Sequence, residues 1–192
     1  MRRPIRTTLG AALTGALALT LAVPATAPAP AGAEVRKFAD KAAENPDAIR
    51  TVRVDHGLYN VRLRVNAGEL AHNYHWYLDT VPSRPGPEYV AVVIGEVESF
   101  AVHSVPGWLA GPGGGPRGTG PLRCQGRVDF DVDRQRVTFT VPRRCLRENP
   151  AATGQPARVR VGLEAWPDFG RAQDRFPKRH RFSDWVRRGP VH

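Results

Sequence analysis

Two strictly alternating runs separated by a polar turn commit the stretch from Arg123 to Leu146 to a β-hairpin. Val128, Phe130 and Val132 alternate with Asp129 and Asp131, and Val137, Phe139 and Val141 alternate with Thr138 and Thr140. A period of two places one side of each run in a core and the other in solvent. Setting Val132 opposite Val137 brings Phe130 to Phe139, Val128 to Val141 and Cys124 to Cys145, the two cysteines of the chain. Such a pairing puts their Cα atoms at about 5.5 Å if the ladder persists, within reach of a cross-strand disulfide. The turn is then Asp133–Arg136, because Arg134-Gln135 lacks the Gly or Asn that a two-residue primed turn demands. Pro142, with no N–H to donate, is expected to end its strand or lie at an edge.

The first 33 residues read as a segment to be removed. Arg2, Arg3 and Arg6 precede an apolar run from Leu9 to Val23, too short to span a bilayer, and Ala31-Gly32-Ala33 is a small-residue cleavage pattern before Glu34. Cleavage at Ala27 would leave Pro28 next to the cut, which favours Ala33. A secretory signal peptide over 1–33 leaves 159 of the 192 residues, enough for one domain with its own core, and predicts a secreted, extracellular protein. Export also predicts that Cys124 and Cys145 are bridged, since two cysteines in an oxidising compartment pair with each other far more readily than they bind metal. Removing the segment's three arginines lowers the formal charge from +10 to +7. The remaining excess favours anionic partners.

Val35, Phe38, Ala39 and Ala42 have helical spacing and Asn45-Pro46 would stop them, so residues 34–46 read as a short helix or a flexible segment. From Ile49 the period changes to two. Val52 and Val54, then Tyr59, Val61, Leu63 and Val65, form a hairpin with Arg62 and Arg64 outward; Tyr74, Trp76 and Leu78 mark a further strand facing the core, with His75, Tyr77 and Asp79 on its other face. Tyr89 to Val97, Phe100 to Val105 and Arg158 to Trp166 complete the strands, and Phe182, Trp185 and Val186 are expected to clamp the C-terminal segment. AGPGGGPRGTGP at 110–121 is a solvated connector; it lacks the Gly-Lys-Ser/Thr of a phosphate-binding loop. The expected fold is an all-β antiparallel sandwich of about eight strands with one disulfide, occupying 47–192.

Catalytic and metal chemistry find little footing in this pattern. Asp129, Asp131 and Asp133 have calcium-like spacing, but Arg134 stands where the tight glycine turn would be, so a solvated strand face is expected and no metal. His72 and His75, three apart on a strand, fall on opposite faces. No serine sits in a nucleophile elbow, and a bridged cysteine pair leaves no thiolate. Asp79 with Glu88 would be the carboxylates of a glycoside hydrolase if the fold brought them to a cleft. The residues expected to touch a ligand are Trp108, placed for exposure beside the glycine-rich stretch, with Asp79 and Glu88; Lys178, Arg179 and Arg181 are the expected anion contacts.

Leu78-Asp79-Thr80 followed by Gly86-Pro87-Glu88-Tyr89, the cysteine pair ending in VPRRCL, VRVGLE at Val159 to Glu164 and FSDWVRRG at Phe182 to Gly189 resemble a group of uncharacterised secreted β-sandwich proteins of actinobacteria, over roughly 47–189. At the level of fold these look like family-nine carbohydrate-binding modules and related sugar- or haem-binding sandwiches. Where the pattern often carries an aspartate after Asp-Thr, Val81 stands here, and the resemblance implies neither a cation site nor an activity. The function expected is a secreted, non-catalytic, monomeric binding module for an extracellular polysaccharide or cell-envelope polymer, with no cofactor and no nucleic-acid partner. The alternatives are a secreted structural or protein-interaction factor and a glycoside hydrolase-like enzyme.

Overall fold

A computed structural model describes residues 34–40, 49–95, 99–109, 121–124, 126–147, 156–166 and 174–189. Residues 1–33, where a signal peptide is expected, and residues 110–120 of the glycine-rich stretch lie outside them. Among the described residues eleven strands run in the order β1 (Glu34–Ala39), β2 (Ile49–His56), β3 (Asn60–Ala67), β4 (Asn73–Asp79), β5 (Tyr89–Ile94), β6 (Ser99–Ser104), β7 (Arg127–Asp131), β8 (Arg136–Pro142), β9 (Arg158–Trp166), β10 (Asp174–Phe176) and β11 (Val186–Arg187), with a 3-10 turn at Arg143–Arg147. They form two antiparallel sheets: β1-β2-β3-β8-β7, and β10-β9-β4-β5-β6 with β11 also on β9. The fold is an all-β sandwich. No helix among the described residues is long and apolar enough to cross a membrane.

The core follows the alternation. Val52 and Val54, Val61, Leu63 and Val65, and Val137, Phe139 and Val141 point inward from the first sheet and are fully buried. They meet Tyr74, Trp76 and Leu78 of β4 and their neighbours on β5 and β9. Phe139 is the hinge of this packing, with ring centroids 5.5 Å from Tyr74 and 5.9 Å from Trp76. Burying such large side chains from both sheets takes their apolar area out of water, which stabilises the sandwich.

Three features depart from the sequence reading. Glu34–Ala39 is a strand, not the start of a helix, because β2 offers an open edge on which Glu34 pairs with His56 and Phe38 with Val52; residues 41–46 lie outside the described part. The β7–β8 hairpin has the expected four-residue turn, but made of Val132–Gln135: Val128 faces Phe139, Phe130 faces Val137 and Asp131 faces Arg136. Local hydrogen bonds select this register. Asp131 Oδ1 accepts from the Arg134 amide, Gln135 closes the turn on the Val132 carbonyl, and Gln135 itself adopts φ 46°. Val132 is left 65% exposed. A shift of two residues keeps Val128, Phe130, Val137, Phe139 and Val141 on the inward face, and only Val132 leaves the core for the turn.

The disulfide forms as expected, with Cα atoms 5.2 Å apart, but outside the ladder. Cys124 precedes β7 and Cys145 lies in the 3-10 turn after Pro142 ends β8.

Candidate functional site

The outward faces of β2, β3, β8 and β7 carry long cationic side chains in register. One row across the strands reads Arg53, Arg64, Thr138, Asp129, and the next reads Asp55, Arg62, Thr140, Arg127; beyond them Asn66, Arg136 and Asp131 form a third. The same alternation that buries Val61, Leu63 and Val65 forces Arg62 and Arg64 out. Because β8, with its short threonines, lies between the arginine-bearing β3 and β7, the face is hollowed along β8 into a trough of about 450 Å³. Arg62 and Arg64 form one wall, Arg127 and Asp129 the other, Thr138 and Thr140 the floor, and Arg136 one end.

Charge in this trough is left largely uncompensated. Asp131 is taken up by Arg136 and by Arg134, the latter at 3.3 Å. Among the described residues Arg53, Arg62, Arg64 and Arg127 form no ion pair. The Arg64 Nε is buried and has no hydrogen-bond partner. Burial, reinforced by the neighbouring Arg136, Arg53 and Arg62, pulls the Arg64 guanidinium below its ordinary pKa. Its titratable groups are arginines and one aspartate, with hydroxyls beneath. Such an arrangement offers charge-assisted donors to an anion.

The residues expected to contact a ligand lie on the other sheet. Asp79 is fully buried, and it pairs in register with Arg160, whose Nη2 stands 2.5 Å from its carboxylate. Burial, with Glu88 as a like charge nearby, raises the Asp79 pKa to about 6 against the pull of Arg160. Glu88 is buried too, accepting from the Thr80 amide at 2.7 Å and its hydroxyl at 3.2 Å. The fold thus brings the two carboxylates near each other, but into packed interior and not into a cleft.

Trp108, expected to be exposed, is half-buried. Its ring lies 4.6 Å from Tyr77 and 4.6 Å from Phe182, with His180 stacked on it at 5.2 Å. Arg160 continues the stack over Phe182 and Trp185. Gly162 permits this closeness, since a Cβ there would meet the Arg181 carbonyl at 2.8 Å and Trp108 at 2.9 Å. The segments around Trp108 and Phe182 therefore roof the outer face of the second sheet, where Tyr77 and Val90 form a small second core.

Lys178, Arg179 and Arg181 are exposed on a turn closed by the Arg181 amide on the Lys178 carbonyl. They stand on the roofed side, away from the trough. His72 is exposed and His75 buried; no group of three metal-ligating side chains gathers among the described residues. The trough itself was missed in the sequence because Arg127 and Arg136 join Arg62 and Arg64 only through the β3-β8-β7 order.

No protein-family model, curated protein or solved structure matches this chain.

Proposed function

We propose that this protein is a non-catalytic binding module for an anionic extracellular polysaccharide or cell-envelope polymer, held on the outer face of the β1-β2-β3-β8-β7 sheet. The observation that carries this reading is the trough with its unpaired Arg62, Arg64 and Arg127. Charges of one sign gathered on a sheet face oppose folding, and an anionic ligand relieves them. The export expected from residues 1–33, and the formal charge of +7 that removal of that segment would leave, support the same partner class.

The test is retention of the purified protein on immobilised anionic polymers at low salt, with elution as salt rises. Arg62→Gln with Arg64→Gln should elute markedly earlier than the parent. If no anionic polymer retains the parent protein, the reading is wrong; a stable protein partner recovered in its place would favour the interaction-factor alternative.

A further inference from the structure

We propose that the trough recognises tetrahedral oxyanions, the sulfate or phosphate groups of a hydroxyl-rich polymer, in preference to planar carboxylates. The inference rests on reading the trough as a binding face and adds the chemical class of its ligand.

Arg62 and Arg127 are both register partners of Thr140, one on each side of it. With strands about 4.8 Å apart, their Cα atoms lie about 10 Å from each other. Guanidinium groups reaching over the floor from both sides converge on whatever sits above Thr140. A planar carboxylate presents its two oxygens in one plane and satisfies one guanidinium fork. A tetrahedral group directs oxygens to both walls and still turns one toward the floor, where the Thr140 hydroxyl donates.

The next row, about 7 Å along the strands, sets Arg64 against Asp129 across Thr138. Asp129 repels a second anion at its own wall and accepts from a hydroxyl. Recognition along the trough therefore alternates a doubly held anion with a site for one anion edge and one hydroxyl. None of the side chains lining the trough is aromatic, so no aromatic ring is there to stack on a sugar.

The experiment measures affinity of the full purified chain, at fixed ionic strength, for dextran sulfate, inorganic polyphosphate and polygalacturonate. Dextran sulfate, polyphosphate or both should bind roughly tenfold more tightly than polygalacturonate, a single good charge-assisted contact being enough for that ratio. Which of the two binds identifies the source of the oxyanion. Arg127→Gln should bring the sulfate and phosphate polymers down by roughly that factor, toward the polygalacturonate affinity, which itself falls by less. Arg127 is exposed, and an unchanged melting temperature verifies that the variant is folded. Equal affinity for all three polymers, or an Arg127→Gln variant that binds sulfate and phosphate polymers like the parent, overturns the preference for tetrahedral groups and leaves the binding reading intact. Failure of all three polymers to bind overturns both.

Discussion

Arg53 and Arg64 stand directly opposite each other on β2 and β3, and among the described residues no acidic side chain forms an ion pair with either. Like charges at opposed strand positions destabilise a sheet, so Arg53→Glu should stabilise the protein by roughly 0.5–1 kcal/mol at low salt. That gain should shrink at high salt as the charges are screened, and retention on anionic polymers should fall. Urea denaturation at two ionic strengths checks the first part; a variant no more stable than the parent at low salt would mean that the pair carries no repulsion.

Arg143 is fully buried in the 3-10 turn. Its Nη1 donates to the Leu58 carbonyl at 2.7 Å and its Nη2 to the Pro156 carbonyl at 2.8 Å, tying three segments together. Arg143→Met would leave both acceptors without a charged donor and should cost about 3 kcal/mol, read as a lower urea midpoint. Arg143→Lys, which lacks the planar fork, should recover only part of the loss.

Stability should fall on acidification between about pH 6.5 and about pH 4. Burial lowers the pKa of His56 from 6.5 to about 4, with Arg143 and Arg188 adding to the effect, and burial lowers His75 equally. In that window the unfolded chain binds protons that the folded one refuses, so both contributions are present above the unfolded value and lost toward the folded one. Asp79, raised to about 6, acts in the opposite sense: its contribution is lost as pH rises through that value. Two imidazoles outweigh one carboxylate. Each depressed histidine is worth on the order of 3 kcal/mol, and His75→Phe should flatten the dependence of the urea midpoint on pH.

Gly162→Ala should lift the roof from the second sheet. The added methyl would clash with the Arg181 carbonyl and the Trp108 ring. A cost of about 1–3 kcal/mol follows from overpacking, with a red shift in tryptophan emission as Trp108 gains solvent.

The disulfide closes a separation of 21 residues and should contribute roughly 3 kcal/mol by restricting the unfolded chain. Comparing urea midpoints for oxidised and reduced protein measures it, and free thiols at both cysteines in the native protein would contradict the bridge.

Alternation made the strands readable. Val61, Leu63 and Val65 face the core as their spacing requires, and Val128, Phe130, Val137 and Phe139 keep their faces although the hairpin register differs by two residues from the one the cysteines suggested. The error came from treating the disulfide as part of the ladder, when turn chemistry at Asp131 and Gln135 sets the pairing. β1 was misread because Val35, Phe38 and Ala39 have helical spacing, whereas on the strand only Phe38 packs against the core, Val35 is left exposed, and the open edge on β2 decides the outcome. Trp108 looked exposed beside a glycine-rich stretch, but its partners Tyr77, His180 and Phe182 arrive from distant segments. The arginine trough was half legible: Arg62 and Arg64 were evident as outward side chains of one strand, whereas their convergence with Arg127 and Arg136 depends on which strands become neighbours.

The roof of Trp108, His180 and Phe182 covers one sheet while the other keeps its outer side bare among the described residues, and this asymmetry makes the domain directional. A polymer lying along β8 would orient every bound copy the same way, with the Lys178–Arg181 turn pointing outward into the surrounding medium. A coat of such copies would present one uniform surface to whatever approaches next.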